Sequence, residues 1–292
     1  MKITIAAPAT SANIGPGFDT LGMALNWTYK FKVSQGKRKT NAGPIIDMIK
    51  KGFRSVYQQF EETNIPNINI EYSKNVLVGK GLGTSAACYL TGITAANEFL
   101  NQPMNKNQIL DLAIQIEGHA DNVIPAFFGG LRAIVKKDSA ISQKDEYLST
   151  KIKTATDLQV ALLVPSFSMP TKATRKTLPK TIPLEAAIYN ISRAAMLVNA
   201  ISQKQYNLLE EATKDKLHQE PRSQYFPEMK DIFQAALNNG AHGVFLSGGG
   251  PTIGVFVTKN PHKVVKSMEV ALKKSTSLKK ICTIAEKGLE IC

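Results

Sequence analysis

Gly79-Lys80-Gly81-Leu82-Gly83-Thr84-Ser85-Ala86-Ala87 is the stretch on which the reading of this chain turns. Three glycines in five residues let a backbone take positive φ and approach a ligand without Cβ clashes. Thr84 and Ser85 follow as expected N-cap hydroxyls at the mouth of a helix built from Ala, Cys, Tyr and Leu. Free N–H groups at a helix start bind anions, phosphate above all. The spacing is not that of a Walker loop, because no GK[ST] follows four spacer residues. Nor is it a Rossmann fingerprint, because the glycines run GxGxG and no acidic residue ends a strand about 20 residues on. Alone, such a loop is also compatible with a plain tight turn. The hydroxyls that follow it favour nucleotide phosphate binding.

Around this loop the pattern mixes strands and helices. KITIAAP (2–8) and ALNWTYKFKVS (24–34) read as strands on either side of a Gly/Pro-rich loop. A helical face follows from Pro44 to Glu62, then a strand at 67–73, the loop, and a helix to about Leu100. A further helix runs from Asn107 to near Gly118, and 129–137 reads as a strand. Residues 138–157 are polar and aperiodic, a connection. The second half opens on the apolar strand LQVALLVP (158–165). Helices are expected at 184–203, 205–213 and 227–238, then a strand–glycine loop–strand at 243–257, a helix at 261–274 and a strand near 280–285. Without regular βα alternation this is an α+β chain of two lobes.

The 292 residues are 43% hydrophobic and 20% charged, which excludes disorder and leaves ample material for a core. Three cysteines (Cys88, Cys282, Cys292) without a CxxC argue against a disulfide framework or a zinc site. No run of about 18 apolar residues suggests a membrane span, and Pro8, Asn13, Gly15 and Pro16 interrupt any signal-peptide core. A reducing cytoplasm is the expected location. The net charge of +13 invites a nucleic-acid reading. However, 30 of the 36 cations are lysines spread along the chain, without an Arg-rich stripe or an aromatic RNA-binding motif. A solvated lysine surface accounts for most of the charge.

Two further loops complete the pattern: PATSANIGPGFDTLGMAL (8–25), holding Asn13 and Asp19, and FLSGGGPTIGVFV (245–257). With GLGTSAA between them, these segments resemble in order and spacing the GHMP small-molecule kinases, and among those the homoserine kinases. EGHADNVIPAFFGG (117–130), TKATRKTLP (171–179) and HQEPR (218–222) are similar to further segments of the same branch. The resemblance spans roughly residues 2–258.

The resemblance implies a two-lobed α+β GHMP kinase fold, with a ribosomal protein S5 domain 2-like N-terminal lobe (1–155) and a ferredoxin-like C-terminal lobe (156–292). It implies ATP over the central loop, with Gly79, Lys80, Gly81, Leu82, Gly83, Thr84, Ser85, Ala86 and Ala87 around its phosphates. Mg²⁺ would be held by Ser85 and Glu117, in keeping with a hard cation that takes few protein ligands. L-homoserine would be held by Asn13, Asp19, His119 or Asp121, Arg175 and Arg222. Here a carboxylate suits the substrate ammonium and guanidinium forks suit its carboxylate. Phosphoryl transfer would proceed by alignment and electrostatics without a dedicated strong base, with Asn122 in a positioning role. Leu77, Lys80 and Thr84 stand where the family usually has Pro, Arg and Ser. Homodimers are common in the family.

Two alternatives remain at this level: a GHMP kinase for another small alcohol, and a non-catalytic sensor or nucleic-acid binder on the same fold. Arg175 and Arg222 speak against a neutral sugar, and Ser85 with Glu117 against a pure binder. His218 reads as a structural cap near Arg222, and His242 and His262 as surface or half-buried histidines. Phe127 and Phe128 read as core, and Cys88 as a small packing residue.

Overall fold

The computed structural model describes residues 1–36, 42–138, 146–169 and 171–292, with the backbone alone at 171–173. Two antiparallel sheets organise it. The first is built on a long hairpin of β1 (Lys2–Ala12) and β2 (Leu21–Gln35). In β2, Trp27, Tyr29, Phe31 and Val33 are buried while Asn26, Thr28 and Lys30 face solvent, the period of two of a half-covered strand. β3 (Ile68–Tyr72) and β4 (Leu131–Lys136) both pair with β2, and β5 (Tyr147–Ile152) pairs with β4.

Four helices cover this sheet. α1 (Pro44–Gln59) carries one apolar face, which packs on α2 (Thr84–Phe99). α2 is buried on nearly every side, which explains its small, apolar composition and its lack of a polar face. α3 (Lys106–Glu117) begins with a capping box: Asn105 Oδ1 accepts from the amides of Asn107 and Gln108, and Gln108 Oε1 accepts from the amide of Asn105. It ends at Gly118 in the left-handed conformation. That turn leads into α4 (Ala120–Phe128) and brings Glu117 and Asn122 beneath the start of α2.

The second sheet has the order β7-β8-β6-β9, from β6 (Gln159–Pro165), β7 (Gly243–Leu246), β8 (Ile253–Val257) and β9 (Ser277–Thr283). α9 (Met229–Asn238) and α10 (Pro261–Ala271) pack on it, giving a ferredoxin-like lobe. β6 is the seam between lobes. Val160, Leu162 and Val164 join the large core, whereas Ala161 and Leu163 face the smaller core under α9 and α10. A strand buried on both faces reads as the unbroken apolar run LQVALLVP. Between β6 and α9 lie α5 (Thr171–Lys176), α6 (Leu184–Ser202), α7 (Leu209–Ala212) and α8 (Gln219–Ser223). A final strand, β10 (Glu290–Ile291), returns to the first sheet beside β1.

Three departures from the sequence expectations have physical causes. β1 runs on to Ala12 because a register shift at Pro8/Ala9 absorbs the proline, which has no N–H to donate. The stretch read as a connection, 138–157, contains β5; of that strand only Ile152 is buried, so pairing with β4 rather than hydrophobic alternation makes it a strand. Residues 139–145 of that stretch lie outside the described residues. α4 shows no helical signature in the sequence because it is nine residues long and carries Pro125 inside.

Candidate active site

Gly79, Gly81 and Gly83 all have positive φ, as the loop reading requires. At two of them space is the tighter constraint. A Cβ on Gly81 would lie 2.2 Å from the carbonyl oxygen of Ser247, and one on Gly83 would lie 1.7 Å from Thr10 Oγ1. The cradle is thus wedged between the C-terminal end of β1 and the glycine loop after β7. The N-cap of α2 is Gly83, with no side-chain cap, which corrects the expectation that Thr84 and Ser85 cap the helix. Their hydroxyls are committed elsewhere. Thr84 Oγ1 donates to the carbonyl of Leu77 at 2.6 Å, and Ser85 Oγ donates to Glu117 Oε1 at 2.5 Å. The first turn of α2 therefore keeps its N–H groups uncapped, the condition for an anion site.

Hydroxyls tie the three loops together. Ser247 Oγ donates to the carbonyl of Gly81 at 2.6 Å, so in its 2.7 Å contact with Ser11 Oγ it is the acceptor. Thr10 Oγ1 donates to Asn122 Oδ1 at 2.7 Å, while the Thr10 amide donates to the carbonyl of Leu82 at 3.2 Å. Asn122 therefore supports the underside of the loop. Lys80 is engaged through its ammonium by the carbonyls of Ser166 and Phe167, each at 2.6 Å, where burial lowers its pKa.

Ser85 and Glu117 form a pair of hard oxygen donors at the helix mouth. Burial pushes the Glu117 carboxyl up to about 7, against the opposing effects of the Ser85 hydrogen bond and the charge of Lys51. A carboxylate that carries this desolvation cost suits a divalent metal, whose charge would offset it. Among the described residues no group of three or more His, Cys, Asp or Glu is placed to hold a metal. Two protein oxygens, with phosphate and water completing the shell, match what Mg²⁺ ordinarily takes.

On the far side of the Gly248 loop the charged residues converge. Asn13 (φ +68) donates through Nδ2 to the carbonyl of Gly248 at 2.9 Å and accepts the amide of Asp19 at 3.0 Å. Asp19 and Arg175 form a two-point pair, Nη2 to Oδ2 at 2.5 Å and Nη1 to Oδ1 at 3.3 Å. Arg222 is 2% exposed and also donates to the carbonyl of Gly248, at 3.1 Å. The ring of Phe18 lies under both guanidiniums, 5.3 Å from that of Arg175 and 5.4 Å from that of Arg222. Burial lowers the Arg222 pKa to about 10, with the charge of Arg175 adding to the effect. His119, half-buried at the start of α4, is also shifted down, mainly by burial. Asp121 is sealed, its carboxyl raised to about 7 by burial and by the charges of Asp19 and Glu117.

The fold gathers the sequence-predicted residues into two clusters. One is the loop 79–87 with Ser85, Glu117 and Asn122; the other is Asn13, Asp19, His119, Asp121, Arg175 and Arg222. Sequence reasoning missed Thr10, Ser11 and Ser247, whose small hydroxyls carry no motif of their own, and the role of Phe18 between two arginines. His242 is half-buried and contacts Thr258 Oγ1, and Cys88 is buried, both as expected.

Known proteins bear on this geometry. Residues 47–130 match the GHMP kinases N terminal domain, and residues 192–272 match the GHMP kinases C terminal domain. The homoserine kinase of Clostridium botulinum (strain Loch Maree / Type A3) is 36% identical over 293 residues, spanning 96% of this chain and 95% of its own. That of Petrotoga mobilis is 36% identical over 267 residues, covering 86% and 83%. Among solved structures, the homoserine kinase of Cytophaga hutchinsonii superposes with a TM-score of 0.85 at 25% identity, over 100% of this chain and 97% of that one.

Proposed function

That this chain belongs to the GHMP kinase family is the premise from which we propose that it transfers the γ-phosphoryl group of ATP to the hydroxyl of L-homoserine. The product is O-phospho-L-homoserine, on the way to threonine. One observation carries the substrate assignment. A carboxylate, Asp19, and two guanidiniums, Arg175 and Arg222, gather beside the phosphate cradle, the complement of a zwitterionic amino acid. A neutral sugar has no use for that set.

In the reaction the substrate hydroxyl oxygen forms a bond to the γ-phosphorus as the bond to the β–γ bridging oxygen breaks; ADP leaves, and the hydroxyl proton passes by way of a phosphate oxygen to water. The uncapped N–H groups of α2 receive phosphate oxygens. Ser85 and Glu117 would hold Mg²⁺, which when bound supplies charge neutralisation at the phosphates. Asn13, Asp19, Arg175, Arg222 and His119 orient the amino acid; Asp121, being sealed, acts from behind them. Asn122, whose carbonyl oxygen is occupied by Thr10, keeps the loop in shape and takes no proton. With no strong base assigned, rate comes from alignment and fixed dipoles.

The further assignments are also ours. We take residues 1–155 and 156–292 as the two lobes, and the cytoplasm as the location, supported by three free cysteines. We take a homodimer as the assembly, supported by the exposed Leu184, Ile188 and Ile191 on one side of α6. The test of function is a coupled ADP-release assay with homoserine, mevalonate and galactose in parallel. Turnover with homoserine alone is expected. Turnover with either of the others and none with homoserine would overturn the substrate assignment.

A further inference from the structure

His218 opens α8 as its N-cap residue, and its imidazole is fully buried. Its side chain makes no capping bond, so its burial has another purpose. Nε2 lies 2.7 Å from the carbonyl oxygen of Gly15, in the loop that also carries Asn13 and Asp19. Nδ1 lies 2.8 Å from Arg222 Nη1. These two contacts fix the tautomer. A carbonyl only accepts, so Nε2 carries the proton; a guanidinium only donates, so Nδ1 must offer its lone pair. One further contact holds the ring. Phe18 packs against it at 5.5 Å between centroids. Asp215 Oδ2 stands 3.9 Å from Nε2, too far to bond, and accepts instead the backbone amides of His218 and Gln219.

The consequence falls on Arg222. Its Nη1 is occupied by two protein acceptors, His218 Nδ1 and the carbonyl of Gly248. Its Nε is buried and has no partner among the described residues. A guanidinium pinned at one nitrogen, with a buried donor left idle along its Nε edge, is set to receive a carboxylate there. We propose that His218 is a positioning residue whose Nδ1, made the acceptor by the Nε2 bond to Gly15, holds Arg222 Nη1 in place so that the Nε edge meets the substrate carboxylate. The inference rests on the homoserine reading, because it presumes an α-carboxylate in this cleft. His218 touches no reacting atom and acts only through Arg222.

Two variants separate the halves of the clamp. In His218→Gln the amide nitrogen falls near the Nε2 position and can still donate to Gly15, but the acceptor for Arg222 is lost. In His218→Asn the amide oxygen falls near the Nδ1 position and keeps that acceptor. The expected result is that His218→Gln raises KM for homoserine by about tenfold, with KM for ATP unchanged within error. His218→Asn should restore much of the homoserine KM. Equal rises for both substrates in His218→Gln, or an Asn variant as impaired as the Gln variant, would overturn the clamp. A second measurement does not depend on the variants folding. In a long-range ¹H–¹⁵N spectrum of the wild-type protein at pH 7, one histidine should show a neutral ring protonated at Nε2 and assigned to His218. A ring protonated at Nδ1 would overturn the proposal. If the wild-type protein gives that spectrum yet does not phosphorylate homoserine, the substrate assignment fails and the geometry of the clamp stands.

Discussion

Arg175 and Asp19 pair with each other, Nη2 to Oδ2 at 2.5 Å, although they are the two groups assigned to opposite ends of the substrate. A bound amino acid offers each of them its own complement, carboxylate for the guanidinium and ammonium for the carboxylate. The pair is about one-third exposed or more on each side, so breaking it costs at most about 1 kcal/mol. Arg175→Ala should therefore raise KM for homoserine about tenfold or more and leave thermal stability almost unchanged. Kinetics with a melting curve on the same sample check this. A large loss of melting temperature with an unchanged KM would make the pair a structural tie.

Gly83 supplies a test of the cradle. It combines φ +62 with a Cβ position 1.7 Å from Thr10 Oγ1 and 2.9 Å from Asn122 Oδ1. Gly83→Ala should cost more than about 1 kcal/mol for the backbone alone, with the steric conflict added. It should also displace the Thr10–Asn122 contact and weaken ATP binding more than homoserine binding. Chemical denaturation and nucleotide titration together measure both effects. An alanine variant of wild-type stability and nucleotide affinity would show that the loop is not so tightly held.

Much of this was legible in the sequence because its signals are local. The glycine loop, the strand alternation of β2 and the apolar run of β6 each state their environment within a few residues. What was not legible depends on partners distant in the chain. β5 is a strand through pairing with β4, and its mostly exposed residues show no alternation. The hydroxyls of Thr10, Ser11 and Ser247 look like any others until the fold places the second and third 2.7 Å apart across 236 residues. His218 could be read as a cap from its place before α8, but only the fold turns its ring toward Gly15 and Arg222. Likewise the N-cap expectation for Thr84 and Ser85 followed general preference, and tertiary partners at Leu77 and Glu117 took both hydroxyls.

The Ser85–Glu117 pair yields a metal-dependence prediction. Ser85→Ala removes one hard oxygen and leaves the Glu117 carboxylate without its donor. The activity of this variant should fall by about 10² at fixed Mg²⁺. The Mg²⁺ concentration for half-maximal rate should rise, with KM for homoserine little changed. A magnesium titration at saturating ATP measures this. If the half-maximal concentration stays at the wild-type value, Ser85 does not take part in holding the metal.

Asp121 gives a prediction about pH and stability in which the sign is fixed by burial. Its carboxyl is raised from 3.8 to about 7 in the folded protein, first by desolvation and then by the charges of Asp19 and Glu117. Between those two values the folded chain binds more protons than the unfolded one, so the contribution of this group to stability is full below about pH 4. It is lost as pH rises through about 7. Asp121→Asn removes the titration while keeping an acceptor for the Asn122 side chain, which lies 3.4 Å from Asp121 Oδ1. In metal-free buffer the variant should therefore be more stable than wild type at pH 8 by about 1 kcal/mol or more, which is about 2–4 °C in Tm for a protein of this size. The gain should shrink steadily toward pH 4. Melting curves of both proteins across that range decide the matter. A variant less stable than wild type at pH 8, or a gain that grows as pH falls, would mean that the buried carboxylate is held charged by partners stronger than its burial.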